Sequence, residues 1–218
     1  MGGFFAAFFN AYSINNEAFA FMWFLALIGA WGWVIVIERF YTIWIKANVN
    51  PQLFMAEIRK LVMAGDYKKA IALCRSGKDR ALPAVIGAIL EQAEAKGAFD
   101  FRALQNAADE AVLEIVPKLN ARTNYLAMLS GVSTLSGLIG TIYGMILNFQ
   151  AMGHAGGSGG ASGLTAGIAV AMIATFAGLV NAIPLLMLES VIKAKTNTII
   201  EAIDEHSVKL INILASSK

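Results

Sequence analysis

Residues 123–188 read TNYLAMLSGVSTLSGLIGTIYGMILNFQAMGHAGGSGGASGLTAGIAVAMIATFAGLVNAIPLLML, an uninterrupted stretch without aspartate, glutamate, lysine or arginine. Charged residues make up about a quarter of an ordinary water-soluble domain, so a run of this length excludes one. The Gly/Ser-rich stretch 153–163 divides it into two apolar segments, 123–152 and 164–188. Each exceeds the roughly 20 residues that cross about 30 Å of hydrocarbon at 1.5 Å per helical residue.

Working outward, Ala18–Ile37 (AFAFMWFLALIGAWGWVIVI) is a third uncharged run, and the sequence predicts three transmembrane helices, over 18–40, 123–152 and 164–188. The first is not expected to be a cleaved signal peptide, because Met1–Glu17 contains no Lys or Arg and the apolar run is too long. The composition agrees: of 218 residues 57% are hydrophobic and 15% charged. A net charge of +2, from 17 basic and 15 acidic residues, gives no reason to expect a nucleic-acid partner.

Every Lys and Arg lies between Arg39 and Arg122 or after Glu189. By the positive-inside rule the segments 41–122 and 189–218 are expected in the cytoplasm, and the N-terminal segment 1–17 and the connector 153–163 outside. Phe4, Phe5, Phe8 and Phe9 predict a short interfacial helix before the first span, whose Trp and Tyr residues suit aromatic belts. Glu38 and Arg39 close that span at the inner interface, with Arg39 read as a solvated anchor. Cys74 has no intrachain partner and reads as a buried small apolar residue. His154, alone in a Gly/Ser-rich stretch, reads as solvated, and no metal site is expected.

Between the first and second spans the pattern is amphipathic and helical. Phe54, Ile58, Leu61 and Val62 form one stripe; Gly65 breaks it, Asp66 is placed to cap, and Tyr67, Ala70, Ile71 and Cys74 begin another. After a break at Ser76–Asp79, helices are expected over 82–94 and 101–119, the latter continuing through Pro117. The charge-free helix from Arg122 to Met152 would be about 45 Å long, longer than the hydrocarbon needs. The cytoplasmic part is therefore expected to consist of helical extensions of the spans with little separate domain. The fold class is all-α, and no strand is predicted.

The second and third spans differ from the first in their small and hydroxyl residues. Thr134, Gly137, Thr141, Gly144 and Asn148 fall at intervals of three or four and share one helix face; Gly167, Ala171, Thr175, Gly178 and Asn181 do the same. Two readings follow. Small residues, Gly140 included, let helices pack closely. Polar side chains in lipid also face protein or water, so the two stripes could line a narrow polar path. That path would hold no ionisable side chain of its own. Either the chain conducts nothing, or a partner helix delivers a carboxylate opposite the threonines. Pro184 removes one helix hydrogen bond and frees the carbonyl of Val180, beside Asn181.

SGLIGTIYGM at 136–145 and GIAVAMIATFAGLVNAIPLLML at 167–188, with Glu38-Arg39, FMAEIRKLVMAGDYKKAIALC at 54–74 and the tail TIIEAIDEHSVKLI, resemble the MotA/TolQ/ExbB family of ion-driven stator subunits over nearly the whole chain. Three spans with a short outer N-terminus look like its ExbB/TolQ branch, and PLLMLES with the helix after it looks closer to ExbB. The resemblance implies a bacterial inner-membrane protein, not an enzyme, assembled as a homopentameric ring. It implies a single-span ExbD/TolR-like partner whose membrane Asp takes up and releases ions, a TonB-like periplasm-spanning protein as the driven component, and no cofactor. Thr141 and Thr175 match the family's two pore threonines. Two positions depart from it: Val170 stands where the branch usually has Glu, and Thr134 where it usually has Pro. The implied ion is H⁺, with Na⁺, which binds oxygen ligands, as the alternative. A TolQ- or gliding-type motor and a non-conducting membrane scaffold remain as other readings.

Overall fold

A computed structural model describes residues 8–9, 11–13, 19–46, 50–77, 80–96, 100–154 and 160–216. The expected interfacial helix around Phe4–Phe9 falls mostly outside these. Among the described residues every regular element is helical: α1 (Phe19–Tyr41), a π-helical turn Thr42–Lys46, α2 (Pro51–Met63), α3 (Tyr67–Ser76), α4 (Ala81–Lys96), α5 (Phe101–Asn120), α6 (Thr123–His154) and α7 (Gly160–Ser216). The stretches Phe19–Ile45, Phe101–Gln150 and Ala171–Ser216 each contain a helix long and apolar enough to cross a membrane.

Local chemistry sets most of these boundaries. Where α1 loosens into its π-helical turn, the Thr42 hydroxyl donates to the Glu38 carbonyl at 2.8 Å, competing for the acceptor that Thr42's own N–H would use in an α-helix. Pro51 opens α2, and the Asn50 side chain accepts from the Leu53 N–H at 3.4 Å. Gly65 supplies the left-handed φ of 75° that ends the turn. Asp66 precedes α3 as expected but forms no capping bond; its carboxylate instead accepts from Lys69 at 2.8 Å. Asp100 caps α5 through the Arg102 N–H at 3.1 Å, and α5 continues through Pro117. Arg122, at φ 62°, stands between α5 and α6 in a conformation that interrupts helical hydrogen bonding.

The chain divides into two compact units, Met1–Ile37 with Arg122–Ser190, and Glu38–Ala121 with Val191–Lys218. The second corrects the expectation of little separate domain, because it has a core of its own. On α4, Leu82, Val85, Ile86, Ile89, Leu90 and Ala93 recur at helical intervals and are all buried. They pack with Ile58 and Val62 of α2, Ile71 of α3, Leu104 of α5, and Ile203 and Leu210 of the α7 tail. Each large aliphatic side chain so buried stabilises the unit by roughly 1.5–3 kcal/mol.

Cys74 lies in this core. Burial, assisted by the negative charge of Glu91, pushes its thiol up to about 12.

In the first unit the arrangement is reversed. Large apolar side chains such as Leu135, Ile139, Ile142, Met172, Val180 and Met187 are exposed, while Ser133, Gly137, Ala174 and Gly178 are buried. An apolar exterior around a small-residue interior needs lipid or other protein against it.

Candidate functional site

The contact between α6 and α7 is built on missing side chains. A Cβ on Gly178 would stand 2.7 Å from the Ser133 carbonyl oxygen, and one on Gly137 3.0 Å from the Ala174 carbonyl oxygen and 3.2 Å from the Gly178 Cα. Farther along, Gly140 and Gly144 meet Ala174 and Ala171, with corresponding distances of 2.8 and 2.9 Å to their Cβ atoms.

Backbones this close bring hydroxyls within reach of the opposite helix. Ser130 donates to the Ala182 carbonyl at 2.9 Å, Ser133 to the Gly178 carbonyl at 3.2 Å and Thr175 to the Gly137 carbonyl at 3.1 Å. Ser130 and Ser133 were absent from the sequence-derived face. Their signal was the same spacing of three and four, since both precede Gly137 by such steps.

Thr141 and Thr175 come together at the edge of this contact, their hydroxyl oxygens 3.5 Å apart and both side chains half-buried. Thr141 gives its proton to the Leu138 carbonyl at 2.7 Å, and the nearer acceptor for Thr175 is the Gly137 carbonyl. With both protons committed, the two oxygens present lone pairs. The pair can accept hydrogen bonds or ligate a cation, and it contains no group that ionises near neutral pH.

The other residues of the expected path are placed differently. Thr134 is exposed and donates to the Ser130 carbonyl of its own helix at 3.1 Å; Asn148 donates to the Gly144 carbonyl at 2.7 Å. Thr134 precedes and Asn148 follows Thr141 by seven residues along α6, so both share its side of the helix without approaching Thr175.

Asn181 departs from the stripe altogether. Its amide donates to the Leu25 carbonyl of α1 at 2.9 Å, and its carboxamide fills the space that a Cβ on Gly29 would take, 2.8 Å from the Oδ1. One turn on, Gly32 admits Leu185 in the same way. Gly29 and Gly32 thus form a second small-residue contact, between α1 and α7, which the aromatic character of the first span obscured. Asn181→Leu is expected to lower stability by about 1 kcal/mol, read as a fall of a few degrees in the detergent melting temperature of the full chain. An unchanged melting temperature would remove the α1 bond from the account.

Gly167 lies within α7, and the side chains of Val170 and His154 lie outside the described residues. Pro184 is half-buried, and α7 continues through it. Arg39 corrects the expectation of a solvated anchor. It is 6% exposed; one terminal nitrogen donates to Glu38 at 3.4 Å, and its Nε and Nη1 have no acceptor among the described residues.

A lipid-requiring exterior, a close small-residue helix pair and two facing hydroxyls with no ionisable partner among the described residues define an all-helical membrane protein whose polar groups lie at its helix contacts. The sequence profile of the MotA/TolQ/ExbB proton channel family matches residues 79–205, and the chain belongs to that family. Both threonines and the whole α6–α7 contact fall within the match. The Synechocystis sp. protein named as biopolymer transport protein ExbB-like 3 is 29% identical over 163 residues, covering 73% of this chain and 74% of that protein.

Proposed function

We propose that the chain is the ion-conducting subunit of an energising complex in the bacterial inner membrane, with its N-terminus in the periplasm and its C-terminus in the cytoplasm. The observation that carries this reading is the Thr141–Thr175 pair, two hydroxyl oxygens 3.5 Å apart in a stretch without Asp, Glu, Lys or Arg. Acceptors of this kind serve a proton-bearing group brought to them, and the family supplies one in the membrane Asp of an ExbD/TolR-like single-span partner. Five copies of the chain would surround the partner helices. Ion passage would turn or shift the two components against each other, and a TonB-like protein would carry the work across the periplasm. The work is mechanical and requires no covalent chemistry.

H⁺ is the favoured ion. Na⁺ is the second reading, because the groups around the pair are hydroxyl and carbonyl oxygens, and Val170 stands where the branch usually carries Glu.

The test is ion flux into proteoliposomes holding the chain with and without its co-purifying partner, under separate H⁺ and Na⁺ gradients. Partner-dependent H⁺ flux is the expected result. Flux under Na⁺ alone would change the ion and keep the machine. No flux from an intact complex would overturn the reading in favour of a membrane scaffold.

A further inference from the structure

The second unit carries a half-open cavity of about 640 Å³, within the range of roughly 300–1,000 Å³ typical of small-molecule sites. The cavity follows from the two faces of α4. The face carrying Leu82, Val85, Ile86 and Ile89 fills the core, whereas the face lining the cavity carries Ala81, Ala84, Gly87 and Ala88. Small residues there leave open the space that α3 and α5 bound from the other sides, with Ile115 and Leu119 continuing the apolar wall.

The rim is charged, and its charges do not cancel. Arg75 pairs with Glu91 at 3.0 Å and Lys118 with Glu114 at 2.5 Å. Arg80 also lines the cavity and forms no ion pair among the described residues. An occupant that suits this lining has one negative charge and an apolar body.

Thr42 gives the cavity its location. It forms part of the wall and belongs to the apolar stretch Phe19–Ile45 that is long enough to cross a membrane. Around it Phe40 and Trp44 stack with ring centroids 4.4 Å apart, and Tyr41 and Ile45 are exposed, the composition of a membrane–water interface. The cavity therefore reaches the level at which lipid head groups lie.

We propose that this cavity binds an anionic membrane lipid, its charged group paired with Arg80 and its apolar part against Ala84, Ala88 and Ile115. This site is separate from the Thr141–Thr175 pair, and it is tested by binding instead of flux, so that its failure leaves the ion-pathway reading untouched.

The test is native mass spectrometry of the delipidated full chain titrated with phosphatidylglycerol or phosphatidylethanolamine of matched acyl chains. Wild type is expected to retain phosphatidylglycerol in preference to phosphatidylethanolamine. Arg80→Gln, at an exposed position where folding is not at stake, is expected to weaken phosphatidylglycerol binding roughly tenfold, the loss of one charge-assisted hydrogen bond. Ala88→Leu is expected to displace the lipid by filling the space. Retention of phosphatidylglycerol by Arg80→Gln at wild-type strength would overturn the proposal, as would full displacement by inorganic phosphate alone, which would assign the site to the free anion. Displacement by an acidic apolar peptide with no lipid selectivity in the wild type would assign it to a protein segment and overturn it equally.

Discussion

Gly178→Leu is expected to destroy the α6–α7 pairing and with it the folded state of the first unit. A Cβ at this position would lie 2.7 Å from the Ser133 carbonyl oxygen and 3.1 Å from the Gly137 Cα, both backbone atoms that no side-chain rotation can move. Leucine adds three further carbons in the same direction. Overpacking commonly costs about 1–3 kcal/mol, and a clash with backbone on the facing helix belongs at or above the upper end. The readout is loss of the monodisperse species on size exclusion in detergent, with a melting temperature lowered by ten degrees or more. Gly144→Leu should be milder, because its nearest neighbour is the Ala171 side chain at 2.9 Å. At Gly131 a Cβ meets nothing within 4 Å, so Gly131→Ala separates helix propensity, worth about 1 kcal/mol in the opposite direction, from packing. A Gly178→Leu protein that assembles and melts as wild type would remove the close backbone approach on which the site depends.

Thr175→Val should leave the fold standing and disable ion passage. Valine keeps the branched shape, so the α6–α7 contact retains its packing and loses one hydroxyl bond, to the Gly137 carbonyl at 3.1 Å. The stability cost is about 1 kcal/mol. The functional cost is larger, because one of the two side-chain oxygens available to an incoming group is gone. A hydrogen bond to a charged or proton-sharing group is worth about 1.5–3 kcal/mol, so partner-dependent flux is expected to fall roughly 10- to 100-fold. Thr175→Ser, which restores the oxygen, should recover most of it. Wild-type flux in the valine variant, with the fold intact, would confine Thr175 to packing.

The three spans were legible because lipid imposes a one-dimensional rule: Ala18–Ile37 and 123–188 carry no charge, and no fold in water has a use for them. The helices between the spans were legible for a similar reason, since Ile58, Val62, Ala70 and Ile71 announce their stripes by period. What period cannot state is the partner of each stripe. The α4 face from Leu82 to Ala93 was visible as apolar, but only its meeting with α2, α3, α5 and the α7 tail makes a core, and that meeting is tertiary.

The site divides the same way. Helical spacing placed Thr141, Thr175, Gly137 and Gly178 on facing stripes, and the structure brings these four together. Spacing alone also placed Asn181 there. The rotation that turns its amide to Leu25 depends on the absence of a side chain at Gly29, a residue on another helix. Arg39 was misplaced because its sequence position, at the end of an apolar run, describes an anchor, whereas its burial is decided by what packs around it.

The single cysteine has a consequence for experiment. Cys74 is 2% exposed, and burial pushes its thiol well above the ordinary range, so little reactive thiolate forms at neutral pH. The native chain is therefore already a silent background for thiol chemistry. A cysteine introduced at Thr134 or at Phe149 reacts with maleimide only where water reaches it, so its labelling, and the protection given by an added partner protein, would report which side of α6 is wet and which that partner covers.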